Sequence, residues 1–216
     1  MIAEIIPRAY DPLGRQLSHP SKKRHRFFAP TFPMGRYVTH PLTVQCHSFK
    51  ELREFLRTCR YVSDEKQFGT SDYWLPPEEF ETRRQGDCED FALWTWRQVL
   101  AMGYQARFVG GSAGRYGDGH AWVTFQDGER TFLLEPQLAA AGERMPRLKT
   151  LRYQPVVSVT WDGKKLRYFE HEARAYDPPL LTVVSLVPEW VVFWLCTEPL
   201  RLRGYLRWAK RWVAGS

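Results

Sequence analysis

The pattern of hydrophobic and polar positions changes its period near Gly103, and this change separates a helical part of the chain from a strand-rich part. Before that point, apolar residues recur at helical spacing over residues 49–61, which predicts a helix with Cys59 on its apolar face. Ser48 and Glu51 form the capping-box pattern that favours a helix start at this place. The first predicted element is therefore an amphipathic helix.

Two further helices are predicted before Gly103. A short one is expected around residues 78–82, because the Pro76-Pro77 pair suits a first helical turn and acidic residues follow it. A longer one is expected to begin after Asp87, a good N-cap residue, and to stop at Gly103. Because this longer stretch is strongly apolar, the helix is predicted to be buried and central.

Beyond Gly103 the chain consists of short apolar runs separated by turn residues. The pairs Asp127-Gly128 and Asp162-Gly163 are strong tight-turn signals between such runs. One buried helix followed by antiparallel strands predicts an α+β fold. The predicted strands cover residues 105–109, 120–125, 131–134, 156–161 and 165–169.

Three segments follow from these patterns. Residues 1–45 are rich in Pro, Gly, His and basic residues, and we predict an extended basic arm with little regular structure, here named the N-terminal arm. Residues 46–178 contain the predicted helices and strands and form the expected folded domain. Residues 179–216 are predicted to be an apolar and then basic, amphipathic C-terminal segment.

The net charge of +7 arises from 31 Lys and Arg against 24 Asp and Glu, and basic clusters lie at residues 22–26 and 201–211. No recognisable nucleic-acid module accompanies the clusters, so nucleic acid is not the expected partner, and a solvated face is the ordinary interpretation. Residues 200–213 interleave Leu, Tyr and Trp with Arg and Lys. That composition suits a helix on an anionic membrane surface or on a protein partner, with packing on its own domain as the alternative.

The cysteines are too few and too scattered for a disulfide framework, and none forms the short pairs that zinc sites use. We predict no metal site, no cofactor and a cytoplasmic protein, because no secretory signal precedes residue 10. The apolar region 180–196 is interrupted by polar residues and is too short for a predicted membrane span. The cysteines are Cys46, Cys59, Cys88 and Cys196.

Cys88 lies directly after the predicted N-cap Asp87. A thiolate, which is the nucleophilic form of cysteine, is favoured at a helix N-terminus because unpaired N–H groups and the helix dipole stabilise negative charge there. The same N–H groups suit an oxyanion that forms during attack on a carbonyl. The sequence therefore predicts Cys88 as a nucleophile with a lowered pKa.

His120 is the best candidate for the base. It follows the glycine-rich stretch 110–119, predicted to be a loop, and starts an apolar strand on which His120 and Trp122 share a face. Glu135 ends the next strand, and the turn at Asp127-Gly128 brings Glu135 roughly opposite His120. The carboxylate is then expected to orient the imidazole and to stabilise the imidazolium.

Four motifs in this order resemble those of the bacterial transglutaminase-like cysteine proteinases and of the wider transglutaminase-like, papain-related superfamily. The resemblance covers residues 70–137, about a third of the chain. It implies a core in which the nucleophile-bearing helix packs on an antiparallel sheet. The motifs are Trp-Leu-Pro-Pro at 74–77, Gly-Asp-Cys-Glu-Asp-Phe-Ala at 86–92, Gly-His-Ala-Trp-Val at 119–123 and Leu-Glu-Pro at 134–136.

The resemblance also implies residue roles: Cys88 as nucleophile, His120 as base and Glu135 as the orienting acid, although the family commonly has Asp at this third position. Trp74 and Trp122 are expected at the substrate or oxyanion site. Some relatives need calcium, but the regularly spaced carboxylates of a calcium loop are absent from this sequence.

The expected reaction is acyl transfer from a peptide or amide bond through a thioester, with hydrolysis preferred over transfer to an amine. The expected partner is a protein or peptide substrate. Two other classes stay open. One is a catalytically silent module that holds peptides or acts as a scaffold, with a membrane as one location for it. The other is a nucleic-acid-binding protein. Reactivity of Cys88 distinguishes the first, and a steep salt dependence of binding identifies the second.

Overall fold

The computed structural model describes residues 3–6, 14–20, 27–114, 118–141 and 153–172. All of them lie in the first of two compact units, Met1–Leu181. The second unit, Thr182–Ser216, lies outside the described residues, as do the whole predicted C-terminal segment 179–216, with Cys196, and both basic clusters. Among the described residues, no helix is long and apolar enough to cross a membrane.

A seven-stranded sheet forms the centre of the described fold, in the order β1-β7-β6-β5-β8-β9-β2, and every neighbouring pair is antiparallel. A separate two-stranded sheet pairs β3 with β4 in parallel. The strands are β1 Ala3–Ile5, β2 Arg15–Leu17, β3 Arg60–Tyr61, β4 Gln85–Gly86, β5 Gln105–Ala113, β6 Asp118–Asp127, β7 Arg130–Leu134, β8 Gln154–Trp161 and β9 Leu166–Glu170.

Helix α5 contacts β5 and β6 on one face of this sheet. It is buried along most of its length, since Phe91, Leu93, Trp94 and Trp96 are each no more than 1% exposed. This placement confirms the predicted α+β class and the predicted central helix. The helices are α1 Met34–Thr39, α2 Phe49–Leu56, α3 Asp64–Phe68, α4 Pro77–Arg83, α5 Cys88–Ala101 and α6 Pro136–Ala141.

The predicted elements agree with the structure in type and order, with differences at their ends. Helix α2 begins after Ser48, whose hydroxyl accepts the Glu51 amide at 3.2 Å, but it ends at Leu56 instead of residue 61. The residues beyond it turn away, so that Arg60 and Tyr61 pair with β4. Helices α3 and α6 are too short to show a period and were not predicted.

The glycine-rich stretch 110–119 is mostly strand, which corrects the prediction of a loop. Gly110 and Gly111 belong to β5 and pair with Ala121 and His120 of β6. The register between β5 and β8 shifts between these two glycines. A side chain at Gly111 would meet the Gln154 carbonyl oxygen and the Trp122 ring, so this position requires glycine because two neighbours approach it closely.

The N-terminal arm contains regular structure in its described part, which corrects the expectation of little regular structure over residues 1–45. Strand β1 pairs with β7 at one edge of the sheet and β2 pairs with β9 at the other. Helix α1 follows them. These strands are three residues long, too short for alternation to reveal them in the sequence.

Candidate active site

Cys88 is the first residue of α5, and the start of this helix is fixed by Asp90. One Asp90 carboxylate oxygen accepts the Leu75 amide at 2.7 Å, and the other accepts the Asp87 amide at 3.1 Å. Because Asp90 is fully buried, these two bonds tie the Trp-Leu-Pro-Pro segment to the turn that carries Cys88. This acidic residue in the first turn therefore positions the end of the helix that carries Cys88.

The Cys88 thiol is half-buried and donates to Glu89 Oε2 at 3.0 Å. Burial raises the pKa of Cys88 well above its usual value, and the charges of Glu89 and Asp87 raise it further, while a hydrogen bond from the Ala121 amide lowers it. The prediction of a lowered Cys88 pKa is wrong for this arrangement. Burial outweighs the effect of the helix N-terminus, because removal from water disfavours the thiolate, and the neighbouring carboxylates add to it.

The amide of Ala121 places the Cys88 sulfur beside β6, next to His120 in sequence. His120 Nε2 lies 2.7 Å from Glu135 Oε2, as the sequence predicted for adjacent antiparallel strands. Since Val123 pairs with Leu134, Glu135 lies level with Trp122 and reaches His120 diagonally across the sheet. The structure thus joins His120 to Glu135 and sets the Cys88 thiol against the backbone of Ala121, the residue after His120.

Glu135 is 2% exposed, and both of its carboxylate oxygens accept hydrogen bonds. Tyr153 donates its hydroxyl to Oε2 at 3.0 Å, and the Gln137 amide at the start of α6 donates to Oε1 at 3.3 Å. A buried carboxylate requires such donors, because an unpaired buried charge is very costly. With its Nε2 directed at Glu135, the His120 ring has Nδ1 as its remaining proton-accepting nitrogen.

Trp122 and Trp74 both lie in the interior. Trp122 is fully buried and stacks on the His120 ring, with 6.0 Å between centroids and 27° between planes. Trp74 is 4% exposed and packs against Phe28, and its indole N–H donates to Asp72 Oδ1 at 2.8 Å. The shared face of His120 and Trp122 is confirmed, while direct contact of either tryptophan with a substrate or oxyanion stays a prediction.

Residues 35–134 match the model of the family described as the transglutaminase-like superfamily. This match places residues 35–134 in the transglutaminase-like superfamily. No curated protein matches the chain in sequence.

Solved structures of LapG from Legionella pneumophila are similar to this transglutaminase-like chain. One is 20% identical with a TM-score of 0.40 and covers 65% of this chain and 75% of that one. An EGTA-treated LapG is 19% identical with a TM-score of 0.41, covering 76% of this chain and 84% of that one. A calcium-bound LapG is 19% identical with a TM-score of 0.41, covering 78% and 83%.

The transglutaminase-like domain also places several carboxylates beside Cys88. Ligand atoms of Asp87, Cys88 and Glu89 lie within 4.8 Å of one another, and so do carboxylate oxygens of Asp64, Asp72 and Glu89. Burial raises the pKa of Asp87 to about 10 and that of Glu89 to about 7; the charge of Glu89 adds to the first shift and that of Asp90 to the second. These carboxylates are the described residues with the hard oxygen donors that a divalent cation prefers, although acidic groups commonly cluster without an ion.

Two functional contacts of the transglutaminase-like domain were not found from its sequence. Tyr153 lies outside every predicted strand, and no local pattern connects it to Glu135, 18 residues earlier. Asp90 belongs to the motif at 86–92, but nothing in that motif reveals its bond to Leu75, which spans 15 residues. Both contacts join residues that are distant in sequence and meet only in the folded chain. The periodicity of a single sequence does not reveal such contacts.

Proposed function

We propose that this chain is a cysteine-dependent acyl-transfer enzyme that cleaves peptide or amide bonds, with Cys88 as nucleophile, His120 as base and Glu135 as the orienting carboxylate. One observation carries the proposal. A 2.7 Å bond joins His120 Nε2 to the buried Glu135 carboxylate, and the Cys88 thiol is hydrogen-bonded to the amide of Ala121, the residue after His120, which supports this assignment.

The first step is formation of the thiolate. Because the Cys88 pKa is raised, the resting thiol is protonated, and His120 must take its proton as attack begins. Negative Glu135 favours the imidazolium that results. The Cys88 sulfur then bonds to the carbonyl carbon, and the carbonyl π electrons move onto oxygen, where N–H groups in the first turn of α5 are suitable donors.

Collapse of this intermediate breaks the carbon–nitrogen bond. The imidazolium of His120 gives its proton to the leaving amine, and Cys88 is left as a thioester. Water then attacks the thioester with His120 as base, which yields a carboxylic acid and restores the thiol. We prefer water to an amine as the acceptor. The same residues support both reactions, because the acceptor is selected by the shape and wetness of the cleft.

Alkylation by iodoacetamide, followed by mass spectrometry, tests the nucleophile. Cys46 and Cys59 are matched internal controls, since burial raises the pKa of each to about 11. We expect Cys88 to react at least about tenfold faster than either control, and the His120→Ala variant to lose that advantage. Equal labelling of all three thiols in a folded protein would sink the proposal.

A catalytically silent peptide-holding module is the second candidate, and the raised pKa of Cys88 favours it. In that case the acidic neighbours of Cys88 would keep the thiol protonated and unreactive. Incubation with a diverse peptide mixture separates the two candidates. An enzyme produces new termini that disappear in Cys88→Ser, whereas a silent module binds peptides equally well in both forms and cleaves none.

A further inference from the structure

One oxygen of the Glu135 carboxylate accepts two side-chain donors. His120 Nε2 lies 2.7 Å from Oε2, and the Tyr153 hydroxyl lies 3.0 Å from the same atom. The other oxygen accepts the Gln137 amide at the longer distance of 3.3 Å. Oε2 is the atom that orients His120. Among the described residues, its position therefore depends on Tyr153 more than on any backbone group.

Glutamate needs this support more than aspartate would. Its side chain has one more rotatable bond, so holding the carboxylate against the imidazole costs more conformational entropy. Glu135 is also 2% exposed, and a buried carboxylate is stabilised by each further donor it receives. The Tyr153 hydroxyl, which donates to Oε2, both restricts the carboxylate and supplies a further donor to it.

Tyr153 is itself held in place. It is 1% exposed, its ring meets Trp122 edge to face with 5.2 Å between centroids and 69° between planes, and it tilts against His120 at 6.1 Å. Trp122 in turn stacks on His120. The Trp122 and Tyr153 rings thus both pack against the His120 ring that bonds to Glu135.

We propose that Tyr153 is a positioning residue for the triad, which acts through Glu135 and does not touch the substrate. Its hydroxyl fixes Glu135 Oε2 at the point where His120 Nε2 donates, and so allows glutamate to serve in place of a shorter carboxylate. This inference rests on the proposed function of Cys88, His120 and Glu135.

A double-mutant cycle on the rate of Cys88 alkylation tests this role. We expect Tyr153→Phe to slow alkylation by about threefold to thirtyfold, and to have almost no further effect in a Glu135→Gln background. Tyr168→Phe is the matched control: Tyr168 is also buried, and its ring lies against Phe28 on a different part of the sheet. Equal slowing by Tyr153→Phe in both backgrounds would overturn the proposal.

Proton NMR gives a second readout that does not depend on Cys88. The His120 ring proton that bonds to Glu135 is identified by its loss in His120→Ala. In Tyr153→Phe it should move downfield, because a carboxylate oxygen with one donor fewer accepts the remaining bond more strongly. Tyr168→Phe should leave it in place. A resonance unmoved in Tyr153→Phe contradicts the inference even where labelling fails to support the proposed enzyme.

Discussion

At the scale of single residues, the candidate site combines Cys88 and His120, the proposed nucleophile and base, with several acidic neighbours. Glu89 follows Cys88 directly. Its carboxylate accepts a hydrogen bond from the Cys88 thiol at 3.0 Å, and its charge raises the pKa of Cys88. The predicted contact between His120 and Glu135 is present, with 2.7 Å between Nε2 and Oε2. The resting thiol is therefore neutral, and its activation depends on proton transfer during the reaction.

Removing the Glu89 charge should lower the Cys88 pKa. In Glu89→Gln the negative charge that disfavours the thiolate is gone, so the thiolate forms at lower pH. We expect the pH midpoint of Cys88 alkylation to fall by about one unit or more, measured by mass spectrometry between pH 6 and 11.

Glu54→Gln is the matched control for this experiment, because it removes one negative charge from an exposed position on α2. It should leave the Cys88 midpoint in place. An unchanged or higher midpoint in Glu89→Gln would show that Glu89 does not hold the thiol in its protonated form.

Residue-level prediction from the sequence succeeded where chemistry is local and failed where it depends on neighbours in space. The order of Cys88, His120 and Glu135 and the shared face of His120 and Trp122 follow from motif and alternation. The sign of the Cys88 pKa shift does not, because it depends on how deeply α5 is buried. Tyr153 was missed because its bond to Glu135 joins positions 18 residues apart, which no local pattern connects.

At the scale of secondary-structure elements, two strand glycines connect the sheet to the site. Gly110 lies under the Phe27 carbonyl, and Gly111 leaves room for the Trp122 ring that stacks on His120. Alternation of apolar residues is invisible in such a segment, so the stretch was predicted to be a loop. The strand exists because its neighbours, β6 and β8, pair with it along its length.

Alanine at Gly111 should destabilise the fold. Its Cβ would meet the Gln154 carbonyl oxygen and lie 2.8 Å from the Trp122 ring, so backbone and ring must both shift. We expect a loss of about 1–3 kcal/mol in the free energy of unfolding, measured by urea denaturation.

Gly35→Ala provides the opposite expectation in the same chain. Gly35 lies in α1 with nothing within 4 Å of an added Cβ, so alanine should stabilise by about 0.4–1 kcal/mol. Destabilisation of equal size by both substitutions would show that close packing at Gly111 is not the cause.

At the scale of the whole described fold, the N-terminal arm supplies both edge strands of the seven-stranded sheet. Strand β1 covers β7, and β2 covers β9. Open strand edges invite pairing with other chains. The central order β7-β6-β5-β8-β9 was predictable as a series of strands, whereas the partners at its edges were not, because β1 and β2 are each three residues long.

Deletion of residues 1–20 should therefore cause association. Without β1 and β2, the unpaired groups of β7 and β9 face solvent, and we expect oligomers in size-exclusion chromatography together with a lower unfolding midpoint, by about 2–4 °C for each kcal/mol lost.

Arg15→Ala controls for the loss of side-chain contacts alone. It removes the ion pair with Glu170 at 2.5 Å, in which Arg15 is 74% exposed and contributes little, and it leaves the β2 backbone intact. The variant should stay monomeric. A monomeric deletion protein with an unchanged midpoint would show that the edge strands do not protect the sheet.

The same arrangement sets an order of events during synthesis. Residue 15 leaves the ribosome 155 residues before its partner Glu170, which at bacterial or eukaryotic elongation rates is a delay of roughly 10–30 s. During that interval β2 has no strand to pair with, because β9 has not yet been made. A nascent chain that stalls before β9 is complete is thus the form of this protein that most needs a chaperone.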